Sequence, residues 1–449
     1  MSQAIAAKPA MPTGIPFIIG NEAAERFSFY GMKTILMVFM TQYLMQQGQH
    51  AFTEPEAMVW YHNFSSAVYF FPILGALLSD IFWGKYKTIM NLSIVYCLGH
   101  LTLALFESKM GLAAGLTLIA IGAGGIKPCV SAHVGDQFTE ANKELLPRIF
   151  SWFHFSINFG SFFSTLLTPL LLKNYGASVA FGIPGILMFI ATVVFWLGRR
   201  VYRIAPPTGV AHYKTELASP DAKTALLNLA GLYLFIAFFW SLYDQTGSAW
   251  VLQAEKMNRM VTLGGTTFEV LSSQVQAINP ILVMMFVPLF DLLVYPFFRK
   301  FMDVTPLRKI GVGFFLTVLS FALTAYAQSM LDGGESVSIL WQVASYFILT
   351  AAEVLVSVTA LEFSYSQAPN SLKSLIMGLY LLSVTLGNTI TSVVNKLIQD
   401  EQGKSTLTGS AYYMFFTYLM LGAAVVYMFY ARHYKGKTFV QEKALEGAA

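Results

Sequence analysis

The sequence predicts an all-helical membrane protein of twelve spans, and three observations predict it. Residues of the apolar set AVILMFWYC fill 55% of the 449 positions and aromatics 15%, while only 12% are charged, against roughly 25% in a typical soluble domain. So few charges cannot cover the surface of a soluble protein of this size. Apolar runs of about 20 residues, the length that crosses a bilayer core about 30 Å thick, recur along the chain. Sorted by the loops between those runs, the basic residues fall mainly on one side.

Charged, Gly and Pro punctuation sets the boundaries. The first six spans run 15–46, 57–80, 88–106, 111–135, 148–172 and 178–200. Span one carries a charged string from Asn21 to Lys33, and span two leads into a loop with Gly84, Lys85 and Lys87. Span three is uncharged, whereas span four holds Gly122, Gly124 and Gly125 before Lys127-Pro128. Span five contains Phe155 to Ser161, and span six is closed by Arg199, Arg200 and Arg203. The second six run 224–252, 272–298, 308–329, 338–366, 372–398 and 409–431. Of these, span seven contains Trp240 to Ser248, span eight Asn279-Pro280, span ten Glu353 and span eleven Tyr380. Spans nine and twelve are marked by apolar content between Arg308-Lys309 and Arg432 at their ends. The expected organisation is a short N-terminus (1–14), a six-helix bundle (15–203), a linker (204–223), a second six-helix bundle (224–433) and a tail (434–449). Pro206, Pro207 and Pro220 mark the linker, which is too short to form a domain.

With both termini placed in the cytoplasm, 19 Lys and Arg lie inside, 6 lie outside, and Arg26, Lys33 and Lys127 remain within spans. A missed helix would reverse every later loop, so this bias supports an even count and a multi-pass plasma (inner) membrane protein. A net charge of +4 is too small to suggest nucleic-acid binding. Cys97 and Cys129 sit in apolar runs and form neither a disulfide framework nor a zinc spacing. Residues 1–16 lack the features of a secretory signal, so insertion through the first helix is expected. Six plus six spans around a central linker resemble the major facilitator fold, whose halves rock about a central midplane binding cavity. Gly75, Asp80, Gly84, Lys85, Lys87 and Thr88 resemble that superfamily's loop motif in a loose form.

Ionisable residues inside a membrane are costly unless paired, and by default they mark function. On a helix of 3.6 residues per turn, Glu22, Arg26, Tyr30 and Lys33 fall within about 80° of one another, with Glu25 about 60° to one side. This ribbon climbs roughly 16 Å, and Glu22 and Arg26 at i,i+4 can pair. The Gly122–Gly125 glycines have no preceding strand and no Gly-Lys-Ser/Thr, so they suit close helix packing rather than a phosphate loop. Asp291 and Glu362 lie nearer span ends and suggest structure or gating. The core basic residues all sit in the first half, facing Glu22 and Glu25, while the second half adds only Asp244 and Glu353. One cationic and one anionic wall suit a small zwitterion, and buried carboxylates can carry protons. The charge layout thus points to proton-coupled transport of a zwitterion.

Several strings resemble the proton-coupled oligopeptide transporter family. Glu22, Glu25, Arg26, Phe27 and Tyr30 are similar to its E-x-x-E-R-F-x-Y-Y signature. Gly124 to Ser131, running on to Asp136-Gln137-Phe138, is similar to its second signature, and Phe155 to Ser161 to its F-Y-x-x-I-N-x-G-S element. Trp240 to Ser248 and Glu362 to Pro369 add matches in the second half, closer to the animal members than to many bacterial ones. The resemblance implies import of di- and tripeptides by symport with protons, by a monomer that needs no cofactor or metal. It implies that Arg26 and Lys127 hold the peptide carboxylate and Glu353 its amino group. Tyr30, Asn158 and Asn279 would hydrogen-bond the peptide, with Tyr69 and Trp240 lining side-chain pockets. Glu22, Glu25 and Arg26 would take part in proton coupling. Lys33 with Asp244 would form an outer gate, and Lys127 with Glu353 an inner one.

The chain also departs from the family pattern. Phe29 replaces the first tyrosine, Lys33 stands where arginine is frequent, and Tyr380 occupies a tryptophan position. Either Asp244 or Gln245 takes the span-seven gate position, depending on which end of the motif sets the count. Many bacterial members carry two extra helices between the halves, which this linker cannot hold. Alternatives on the same fold are transport of nitrate or a drug-like solute, and from another class a non-transporting receptor. An enzyme is not expected, because no nucleophile–base pair or metal cluster stands out. His62, His100, His133 and His154 are scattered singly and read as packing residues.

Overall fold

A computed structural model describes residues 10–48, 51–139, 142–207, 209–210, 220–367 and 373–434. The end of the tail, most of the polar stretch of the linker, and the Ala368-Pro369 end of the last motif lie outside the described residues.

Among the described residues, twelve long helices follow one another: α1 (Ile15–Val38), α2 (Glu54–Leu78), α3 (Lys85–Leu105), α4 (Lys109–Asp136), α5 (Leu146–Tyr175), α6 (Ala177–Leu197), α7 (Pro220–Tyr243), α8 (Ile278–Leu289), α9 (Pro306–Asp332), α10 (Leu340–Glu353), α11 (Lys373–Leu397) and α12 (Ser410–His433). Eleven of these segments are long and apolar enough to cross a membrane. The exception is α1, whose Glu22, Glu25, Arg26 and Lys33 crowd the stretch that would otherwise qualify. The chain is a multi-pass membrane protein.

Several helices change pitch. Five-residue π turns extend α1 (Phe39–Tyr43), α2 (Ser79–Trp83), α8 (Phe290–Val294) and α10 (Val354–Val358). The α7 segment breaks into a 3₁₀ turn, Asp244–Gly247, before resuming as Ala249–Lys256. Two of these breaks begin at or directly after the acids singled out from the sequence, Asp244 and Glu353. Wide or tight turns free backbone groups from the regular ladder and recur at functional positions.

Sequence reading missed a hairpin between α7 and α8. Strands β1 (Met260–Leu263) and β2 (Thr266–Glu269) pair antiparallel around Gly264-Gly265. Both glycines have positive φ, 58° and 84°, as a two-residue primed turn requires. The Gly-Gly pair, with Val261-Thr262-Leu263 before it and Thr266-Thr267 after it, is a hairpin signal legible in the sequence.

The helices group into two compact units: residues 1–33 with 74–209, and residues 34–73 with 210–449. In the first, α3 and α4 pack closely, and α6 covers α3. In the second, α9 pairs with α12 and α11 with α7. The second unit also includes the later part of α1 and most of α2, so both helices are shared between units.

Candidate functional site: two charged clusters

In the first unit the charged string of α1 forms a buried ion cluster. Arg26 Nε donates to Glu22 Oε1 at 2.7 Å, the i,i+4 pair expected from helix geometry. The same nitrogen lies 3.3 Å from Glu25 Oε2, so one guanidinium serves two carboxylates. Helix α5 approaches this face through Gly160. A Cβ there would lie 2.5 Å from the Ala23 carbonyl and 3.4 Å from Arg26 Cβ. The Phe155–Ser161 string therefore includes a spacer that fits α5 against the charged turn.

Lys127 joins this cluster from α4. Its Nζ stands 4.0 Å from the centre of the Phe29 ring, a cation–π distance. It also feels the charges of Arg26, Glu25, Lys33 and Glu22. Phe29 occupies the signature position that is otherwise tyrosine, so the substitution keeps the aromatic face and omits the hydroxyl. Lys33 is buried one turn further along α1, and Tyr30 is half-buried. Asn158 donates to the His154 carbonyl one turn back at 3.0 Å, a bond within its own helix and not to the ion cluster.

The second signature divides into two roles. Lys127 belongs to the charged cluster, whereas Asp136 and Gln137 brace the far end of α4. Lys85 Nζ sits 2.7 Å from Asp136 Oδ2. Gln137 donates to the Arg203 carbonyl at 3.1 Å and accepts from its N–H at 3.0 Å. These contacts tie α4 to the start of α3 and to the segment after α6.

The second unit contains a cluster centred on acids. Asn279 Nδ2 donates to Glu353 Oε2 at 2.7 Å and to Thr350 Oγ1 at 3.2 Å. The Tyr243 hydroxyl is a further hydrogen-bonding partner of Glu353, and Asp244 lies within electrostatic range. Trp240 packs edge-on to Tyr243, with ring centres 5.2 Å apart, and thus borders the carboxylate's partner. Tyr69 is half-buried on α2. Tyr380 is buried and donates to the Ser357 carbonyl at 3.3 Å, inside the π turn that follows Glu353.

The structure also shows how Asp244 and Gln245 differ. Asp244 accepts a hydrogen bond from Asn388 Nδ2 on α11. Gln245 donates to the Ser241 carbonyl of its own helix at 2.9 Å. Asp244 is thus the one joined to another helix through its side chain in this unit.

His62 needs a correction. It is fully buried on α2, with Nδ1 2.8 Å from Asn388 Oδ1 and Nε2 2.9 Å from Ser248 Oγ. Because Asn388 Nδ2 donates to Asp244, its Oδ1 accepts, and Nδ1 of His62 carries the proton. The result is a polar chain Ser248–His62–Asn388–Asp244, not a packing contact. Nothing in the local sequence singled out Asn388, because its role depends on α2, α7 and α11 meeting. His133 fits the packing reading, buried edge-on against the Phe195 and Tyr202 rings, while buried His100 packs against Tyr96 and also meets the Phe181 backbone.

Comparison with known proteins places the chain in a family. The POT family model matches residues 86–215 and 209–415. Peptide transporter 3 of Caenorhabditis elegans is 37% identical over 366 residues, covering 71% of this chain and 51% of that protein. Solute carrier family 15 member 2 of Rattus norvegicus is 39% identical over 374 residues, covering 72% and 50%. The chain therefore spans about half the length of the animal relatives it matches. The crystal structure of the POT family transporter PepTSo is 38% identical, with a TM-score of 0.83 over 95% of this chain and 99% of that one. An auto-inhibited POT family peptide transporter is 36% identical, with a TM-score of 0.84 over 96% and 99%. At these identities the twelve helices adopt the major facilitator fold of those structures, and the chain belongs to the POT family.

Proposed function

We propose that the protein is a proton-coupled symporter that imports di- and tripeptides by alternating access. The observation that carries this reading is the division of charge between two preorganised clusters. One offers Arg26 and Lys127 beside two carboxylates. The other offers Glu353 with a hydrogen-bonding Asn279. A peptide's carboxylate suits the first and its ammonium the second, so a free zwitterionic backbone is complementary to the pair of them. Trp240 and Tyr69 offer aromatic surface to side chains, while Tyr30 and Asn158 offer polar groups. A simple anion such as nitrate would leave Glu353 without a counter-charge, which favours peptide over the anion alternative.

Coupling follows from the shared guanidinium. Protonating Glu22 or Glu25 removes one of the two carboxylates that hold Arg26 and frees it for the peptide carboxylate. Binding then competes with internal pairing and biases the equilibrium between states. The pairs Lys33–Asp244 and Lys127–Glu353 are proposed as the alternating gates. Both termini are placed on the cytoplasmic side of the plasma (inner) membrane, with protons as the coupling ion and a monomer as the working unit. In proteoliposomes, dialanine should accumulate under an inward proton gradient and the accumulation should collapse with an uncoupler. Glu353→Gln should weaken dialanine binding at least tenfold, and unchanged affinity would remove Glu353 from the site. Failure of every di- and tripeptide to accumulate would reject the symport reading.

A further inference from the structure

A cavity lies within the second unit, apart from both charged clusters. Its volume is about 800 Å³, within the range of sites that enclose small organic ligands. One wall is the start of α2, with Thr53, Glu54 and Met58; the others come from the Ala249–Lys256 helix, the end of α9, the loop 403–409 and the start of α12. The floor is amphipathic and buried: Met58, Leu252, Tyr412 and Tyr413 supply apolar and aromatic surface. The amides of Gln253 and Gln328 bond to one another there at 3.1 Å.

The rim is charged and unbalanced. Glu54, Asp332 and Glu335 face two lysines, Lys256 and Lys404. Lys256 is committed to Glu54, at 3.2 Å. Glu54 and Asp332 line the cavity together with Tyr413 and both act on it electrostatically, so two rim carboxylates stand near the aromatic floor. Asp332 accepts from Gln328 at 2.9 Å and from the Ser410 N–H at 2.7 Å, and this fixes its orientation. An apolar body on the floor would thus bring a positively charged group beneath carboxylates.

We propose that this cavity binds a small amphipathic amine, an ammonium group on an apolar or aromatic body, and that its occupant regulates transport. The wall from α2 is held to the rest by the Glu54–Lys256 pair and by the Thr53 hydroxyl donating to the Gly403 carbonyl at 3.3 Å. An occupant touching both sides stabilises the arrangement in which α2 is docked here. On the alternating-access reading, α2 must leave this position during the cycle, so the ligand slows turnover without competing for peptide. The regulatory half rests on the proposed function, whereas the binding half does not.

The test uses the full chain in detergent and in proteoliposomes, with phenethylamine as probe and phenylacetate as the control of like body and opposite charge. Phenethylamine should raise the thermal midpoint and bind with or without dialanine, and phenylacetate should do neither. Glu335→Gln should weaken phenethylamine binding at least tenfold and leave basal dialanine uptake unchanged, and Leu407→Trp, which fills the cavity from its 403–409 wall, should weaken phenethylamine binding at least tenfold. Bound phenethylamine should lower the maximal uptake rate without changing the dialanine KM. Equal binding of phenylacetate, or binding displaced by dialanine and indifferent to both substitutions, would overturn the cavity assignment. Binding as expected in a protein that moves no peptide would retain the site and reject the regulatory role.

Discussion

At the scale of single residues, the sequence made the charged positions legible and left their partners hidden. An ionisable group in an apolar run announces itself, because its cost demands a reason. Arg26, Lys127 and Glu353 could be found that way, and the i,i+4 pairing of Glu22 with Arg26 followed from helix geometry alone. Asn388, Thr350 and Tyr243 are neutral and ordinary in sequence, and only the meeting of distant helices gives them meaning. Asn388 serves two side chains through one amide, accepting from His62 and donating to Asp244, and also donates to the Val384 carbonyl of its own helix. Removing it leaves two buried polar groups short of a partner, at a cost of about 1–3 kcal/mol. Asn388→Ala should therefore lower the thermal unfolding midpoint in detergent and broaden its transition. An unchanged midpoint would mean that the Ser248–Asp244 chain carries no stability.

At the scale of elements, helix positions were legible and helix irregularities were not. Apolar run length gives a span, but a π or 3₁₀ turn alters the ladder by one residue and leaves composition unchanged. The glycines before Lys127 are an intermediate case, since spacing suggested close packing without naming the neighbour. The neighbour is α3: a Cβ on Gly122 would fall 2.7 Å from both the backbone nitrogen and the Cβ of Tyr96. Gly135, further along α4, has nothing within 4 Å of such an atom. Gly122→Val should separate α3 from α4 and reduce the folded yield severely, while Gly135→Ala should be neutral or slightly stabilising. Size-exclusion profiles and thermal midpoints of the two variants provide the comparison. Similar behaviour would show that the α3–α4 contact yields easily.

At the scale of the whole molecule, loop charge carries information that no single helix does. The 19 to 6 distribution of Lys and Arg depends on every span being counted in the right order, so it tests the topology as a unit. Cysteines introduced at Lys109 and Lys404 should react with an impermeant thiol reagent on intact cells, and cysteines at Lys87 and Lys309 only after permeabilisation. The native thiols interfere little, because Cys129 is buried and Cys97 is partly so. The opposite labelling pattern would invert the proposed orientation. The two-unit grouping, by contrast, was not legible, because sequence order assigns α1 and α2 entirely to the first half.

The helix that fails the apolar count has a consequence for how the chain is made. Four ionisable residues within Ile15–Val38 each oppose entry into lipid, by about 2.5–3.5 kcal/mol for a lysine, arginine or aspartate at mid-membrane. Taken alone, this segment is a weak passenger of the insertion machinery. Its pairing of Arg26 with Glu22 and Glu25 lowers that cost, and Lys127 and Gly160 arrive only when α4 and α5 have been synthesised. Stable residence of α1 is therefore a late event of biogenesis. In a glycosylation-reporter series truncated after successive helices, α1 should integrate poorly until α5 is present, and efficient integration of α1 alone would contradict this order.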